Sequence, residues 1–246
     1  MNSVFSINKI KDNPIKHAVP VLLILTFLCV IIDITSGFQG MHLVWSDIWH
    51  HRAVLLTLSE DPLSPGNPHI ASEAGSRSYT PIYLVLGWVG YYTDASADIL
   101  LGLSALIALS LNYLGSKRFL TSLGWSKHLN LFLFIILFAW FYPPNYTGFQ
   151  NLRSLVHTAS FPAFQAFGLT LLTWGIYIKW HEGKPSGFKE FAGVTAGLWL
   201  AILTHQFTAL FCLGGLALFT LLEAPQNWFR KTIFLSISSI LAISIA

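Results

Sequence analysis

Apolar residues fall along this chain in long, nearly unbroken runs with short polar breaks between them. The runs cover residues 18–36, 80–93, 97–115, 129–143, 156–179, 190–204, 206–222 and 232–246, and each predicts a helix that is apolar on most sides. Crossing a bilayer upright takes about 20 such residues, so 80–93 is short for a crossing. One polar stretch breaks the rhythm. Residues 39–79 gather Asp47, Glu60, Asp61, Glu73, Arg52 and Arg77 with several histidines. A polar connection that long inside a compact domain is usually functional or disordered. Its order of residues favours function. Ser46 or Asp47 caps a helix running to about Leu58, with Ile48, Val54, Leu55 and Leu58 forming its apolar side. Such a helix is expected to lie in the plane of the interface. The run EDPLSPGNPH then predicts a turn-rich exit, stiffened by Pro62, Pro65 and Pro68.

The fold class expected is therefore all-α: a polytopic transmembrane helix bundle whose long first external loop carries an interfacial amphipathic helix. Composition agrees, with 54% hydrophobic residues against 10% charged, which is the balance of a membrane protein. Nine tryptophans and nineteen phenylalanines suit aromatic belts at the two interfaces. A net charge of +3 is too small to argue for nucleic acid as a partner. Cys29 and Cys212 both lie in apolar runs and read as small buried hydrophobes.

The whole of 1–246 reads as one transmembrane domain: a cytoplasmic tail (1–17), a first span (18–36), the external loop (39–79) and further spans (80–246). Lys9, Lys11 and Lys16 hold the amino terminus inside, which leaves the 39–79 loop outside. Lys117, Arg118 and Lys127, Lys179, Lys184 and Lys189, and Arg230 with Lys231 mark later loops as inside. These assignments agree only if 80–93 does not cross, which predicts a re-entrant or interfacial segment. The outer face then brings together the 39–79 loop, residues 142–157 and the junction at His205. The chain is expected to be an integral protein of the plasma (inner) membrane. It stops inside an apolar run, so it is expected to be the amino-terminal part of something longer.

Asp47 leads the residues that could carry chemistry. On a helix it faces His50 and His51 at i+3 and i+4. A carboxylate beside an imidazole can be a general base, the organiser of a phosphate site or half of a metal site. The structural alternative is a capping aspartate with two interfacial histidines. Asp33, at the outer end of the first span, competes with it. Arg77 and Arg153 can each meet an anionic group such as a lipid phosphate, or serve as solvated interface residues. His205 sits between two apolar runs, either as a hydrogen-bonded structural residue or lining a cavity at a helix break. The chain has no GxSxG, Walker or HExxH motif. A transporter or lipid-handling protein without catalysis is the main alternative to an enzyme. A metal or haem protein using His50, His51, His157 or His205 is a third.

The first span followed at once by a loop with Asp47, the stretch IWHHRAVLLTL, the turn DPLSPGNP and the segment SYTPIYLVLGWVG resembles the GT-C superfamily of membrane glycosyltransferases. PPNYTGFQN and AGLWLAILTHQFTAL look like later helices of such proteins. The resemblance implies a lipid-linked sugar as donor, a polyprenyl phosphate. It implies Asp47 as the catalytic base or a metal ligand, and membrane lipids as surroundings. His50, His51, Arg77, Arg153 and His205 would then bind substrate. Whether a divalent cation (Mg or Mn) takes part stays open, with Asp47 and His50 the donors that would hold it. The acceptor and the sugar are not specified. The tandem acidic pair common in protein mannosyltransferases is absent, because Ile48 follows Asp47.

Overall fold

A computed structural model describes residues 46–69, 76, 78–125, 159–182, 187–222 and 225–245. These residues form seven helices and no strand: α1 (Ser46–Glu60), α2 (Pro81–Thr93), α3 (Ala97–Ser122), α4 (Pro162–Glu182), α5 (Gly187–Thr204), α6 (Gln206–Leu221) and α7 (Pro225–Ile245). The all-helical expectation holds for them. Among the described residues, α3 alone is long and apolar enough to cross a membrane. Shorter apolar helical stretches run over Gln206–Leu221 and Thr232–Ser244. The expected spans 18–36 and 129–143 lie outside the described residues.

Local sequence explains most helix ends. Thr80 accepts from the Tyr83 backbone N–H at 3.4 Å, and Pro81 opens α2 where its missing N–H costs nothing. Asp94 stops α2 in the left-handed region at φ 53°, a conformation that aspartate tolerates better than most residues. Ser96 caps α3, and Asp98 in its first turn suits the positive end of the helix dipole. α3 ends on Gly124 at φ +77°, with Trp125 N–H bonded to the Leu120 carbonyl and Gly124 N–H to that of Thr121. That pair of bonds is a Schellman closure, which needs a left-handed residue at this position. α3 runs on past residue 115, where the apolar pattern predicted its end, because Lys117 and Arg118 continue the helix without breaking it.

α3 and α4 form the central pair and run in the same direction. Ser104 donates to the Ser160 carbonyl at 2.7 Å, and Asn112 to that of Phe164 at 2.7 Å. Further along, Gly115 lies against Leu171 and Gly175 against Arg118. α5 runs back along α4, with Gly197 against Thr173 and Gly193 against Ile176. α6 follows the direction of α4: Phe167 stacks on Phe211, Trp174 donates to the Cys212 carbonyl at 2.9 Å, and the Tyr177 hydroxyl meets Thr220. Phe234 of α7 packs on Tyr177 and Phe191.

A smaller tier covers the amino-terminal end of α3. α2 runs opposite to α3, with Gly90 against Leu100, while Tyr83 and Ser104 share the Ser160 carbonyl. α1 runs in the same direction as α2, with His51 at Tyr83, Leu58 at Gly87 and Ser59 at Gly90. Ile48, Val54, Leu55 and Leu58 are buried in one core with Tyr83, Leu86, Leu100 and Leu101. The apolar side expected to lie on the interface is therefore turned onto α2 and α3 instead. Each full burial of Val54, Leu55 and Leu58 contributes about 1.5–3 kcal/mol to that attachment.

Candidate functional site

Because α1 and α2 are parallel, the chain must return along α1 before α2 can begin. Asp61 starts the return, its carboxylate accepting from the backbone N–H groups of Leu63 and Ser64 at 3.2 and 3.0 Å. Asn67 does the same for His69 at 3.0 Å. The Tyr79 hydroxyl donates to the Gly66 carbonyl and ties the two limbs together. The turns fall where Pro62, Pro65, Pro68 and Asn67 predicted them, while the return along α1 was not read from the sequence.

The returning segment lays His69 on His50, with ring centroids 4.0 Å apart and planes 8° from parallel. Ser78, on the later limb, lies 2.7 Å from His50 Nε2. His51, one position on, meets His50 edge-on at 5.2 Å and packs against Tyr83 and Phe161 at 5.6 and 4.6 Å. Its Nδ1 is buried without a hydrogen-bond partner. Burial, and then the neighbouring His50, His69 and His205, push the His51 pKa down to about 3. His51 is therefore a neutral imidazole at ordinary pH.

His205, far away in the sequence, is near enough to His51 to help lower its pKa. It is the single non-helical residue between α5 and α6, and its Nδ1 accepts from the Thr208 backbone N–H at 3.3 Å. Accepting at Nδ1 assigns the ring proton to Nε2. Burial lowers its pKa as well. The cap commits Nδ1 to structure, so any part His205 takes in binding falls to Nε2.

The structure sets His50 and His51 edge to edge on α1, with His205 near enough to His51 to act on its charge. Asp47 stands on α1 one turn before the two histidines, though its side chain lies outside the described residues. Arg77, Arg153, Asp33 and His157 lie outside them as well. Sequence reasoning missed His69, taken as part of a turn, and Ser78. No spacing rule links either of them to His50. It also missed the Ser160 carbonyl, which the Tyr83 hydroxyl approaches at 3.0 Å, Ser104 at 2.7 Å and Gln165 at 3.5 Å.

Beside the cluster, Arg52 pairs with Asp98 at 3.0 Å and joins α1 to α3. Among the described residues no group of three His, Cys, Asp or Glu side chains is arranged to hold a metal ion. His50 stacks on His69 and is bonded to Ser78 through its Nε2. Asp47, which with His50 was expected to hold a divalent cation, has its side chain outside the described residues. No protein-family model, curated protein or solved structure matches the chain.

Proposed function

We propose that this chain is a polytopic membrane glycosyltransferase of GT-C type. It would move a sugar from a polyprenyl-phosphate donor to an acceptor hydroxyl on the outer face of the plasma (inner) membrane, with its amino terminus in the cytoplasm. The observation that carries this reading is the histidine cluster that α1 builds one turn beyond Asp47. His50 stacks on His69 and holds Ser78, His51 meets His50 edge-on, and His205, far away in sequence, is near enough to His51 to help lower its pKa.

In the proposed reaction the acceptor oxygen attacks the anomeric carbon, and the bond from that carbon to the phosphate oxygen breaks. The electron pair leaves with the polyprenyl phosphate, and the acceptor proton passes to the Asp47 carboxylate. His51, being neutral, is unsuited to balance the departing charge. It suits a neutral hydroxyl of the sugar or acceptor, which would satisfy Nδ1. Arg77 and Arg153 are the cations proposed for the leaving phosphate.

The membrane assignment is supported by α3 and by the charge-free α6, which exposes Phe207, Leu210, Phe211 and Leu218. The shared direction of α3 and α4 puts Lys117, Arg118 and Lys179 at one end, as the positive-inside rule requires. The alternative, a non-catalytic transporter or lipid-handling protein, draws on the buried Ser104, Asn112, Gln165 and Thr173 along α3 and α4. Those groups bond mostly to one another and to backbone carbonyls, as helix-joining groups do.

Membranes expressing the full-length protein, given a panel of polyprenyl-phosphate sugars, test the proposal. Release of polyprenyl phosphate with transfer of sugar from at least one donor is the expected result. No transfer, with uptake or exchange of the intact donor instead, would favour the transporter.

A further inference from the structure

α2 is about 20 Å long at 1.5 Å per residue, too short for a bilayer core of about 30 Å. It nonetheless shows an outward face that water would not favour. Leu84, Val85, Val89, Tyr91 and Tyr92 are exposed, Val85 by 62% and Tyr92 by 74%. No charged residue occurs from Thr80 to Thr93, and the first to follow is Asp94.

The chemistry of this face changes in one direction. Aliphatic side chains come first. Three aromatic rings follow and pack on one another: Trp88 stacks on Tyr92 at 5.6 Å, and Tyr91 meets Trp88 and Tyr92 at 5.9 and 5.3 Å. Asp94 then ends the helix. Aliphatic, then Trp and Tyr, then charge is the order met on passing from the hydrocarbon to the headgroups of one leaflet.

α3 gives the same level independently. Gly90 lies against Leu100, so the aromatic end of α2 is beside the first turn of α3, which holds Asp98. Residues 99–116 carry no charge, and Lys117 comes next. That interval rises about 27 Å, close to the thickness of a hydrocarbon core. Ile99, just inside the boundary, is exposed like the face of α2.

We propose that α2 is seated in the outer leaflet, its Trp88–Tyr91–Tyr92 cluster at the headgroup boundary and its amino-terminal end inside the hydrocarbon depth. The partner of this face is lipid. Tyr83, nine residues before Tyr92, then lies at most about 13 Å below the boundary. His51 packs on Tyr83, while Arg52 beside it reaches Asp98 at the boundary, so the cluster lies between those two levels. The histidine cluster would be reached by a group carried on a lipid, from within the leaflet. This placement rests on the membrane assignment proposed above.

Spin labels at Val85→Cys, Val89→Cys and Tyr92→Cys test it, with Leu210→Cys on α6 as reference. The full chain, with Cys29 and Cys212 replaced by alanine, is reconstituted into phosphatidylcholine–phosphatidylglycerol vesicles. The readout is the ratio of collisions with oxygen to collisions with a water-soluble nickel chelate. The placement predicts a lipid-type ratio at Leu210 and Val85 that falls several-fold through Val89 to Tyr92. Three chelate-accessible α2 sites beside a lipid-type Leu210 would overturn the placement and leave the membrane assignment standing. Three sites shielded from both reagents would overturn it too, by showing a protein cover. A chelate-accessible Leu210 would bring down the membrane assignment itself.

Discussion

His50 and His69 lie face to face at 4.0 Å, a helix residue held against the segment that leaves that helix. His50 also holds Ser78 at 2.7 Å, so one side chain fastens both limbs of the return path to α1. His50→Ala and His69→Ala should therefore couple. A double-mutant cycle on thermal unfolding in detergent should give about 0.5–1.5 kcal/mol, the range of stacked ring pairs. Additive single effects would mean that the stack contributes nothing.

Tyr83→Phe removes one of the donors on the Ser160 carbonyl. Ser104 and Gln165 remain on it, so the acceptor is not orphaned. The expected cost is about 0.5–1.5 kcal/mol. Replacing Ser104 by Ala as well should cost more than the two single changes added together, because the carbonyl then loses its two shorter bonds. The midpoint of thermal unfolding reads both.

Gly168 and Gly214 make opposite predictions from the same substitution. A Cβ at Gly168 would stand 2.7 Å from the Asn112 backbone nitrogen, in the tight contact of α3 with α4. Gly168→Ala should destabilise the fold by about 1–3 kcal/mol, since backbone must move to admit it. A Cβ at Gly214 meets nothing within 4 Å. Gly214→Ala should be neutral or stabilise α6 by up to about 1 kcal/mol.

The helices were legible because their limits are local. The apolar runs placed starts near Pro81, at Ala97 and at Gln206, where Thr80, Ser96 and His205 cap the helices, but they missed the end of α3 at Gly124. The directions of the helices were not legible. That α1 runs with α2, and α3 with α4, depends on which glycine meets which neighbour, as at Gly87 with Leu58 and Gly115 with Leu171. The candidate site was half legible. Asp47, His50 and His51 follow from helical spacing, but bringing in His205 and His69 took tertiary packing. The burial of the apolar side of α1 was also hidden, because one helix pattern serves a lipid surface and a protein core alike.

His51 sets an acid limit on stability. Its folded pKa, near 3, is below the ordinary value of 6.5, so the unfolded chain binds the proton more readily. Its contribution is fully present above pH 6.5 and is lost progressively as the pH falls toward 3. At pH 5 the loss is about 2 kcal/mol. His51→Phe keeps a ring against Tyr83 and Phe161 without the titration, so unfolding temperatures at pH 7 and pH 5 should converge in that variant. An unchanged difference would place the acid sensitivity elsewhere.

Transfer of sugar from a polyprenyl-phosphate donor, measured for the wild type beside Asp47→Asn at equal expression, tests the central claim most directly. The account predicts transfer in the wild type that falls at least about 100-fold in the variant, the usual scale of a lost general base. Full transfer by Asp47→Asn would contradict it and move the catalytic role away from the α1 histidine cluster.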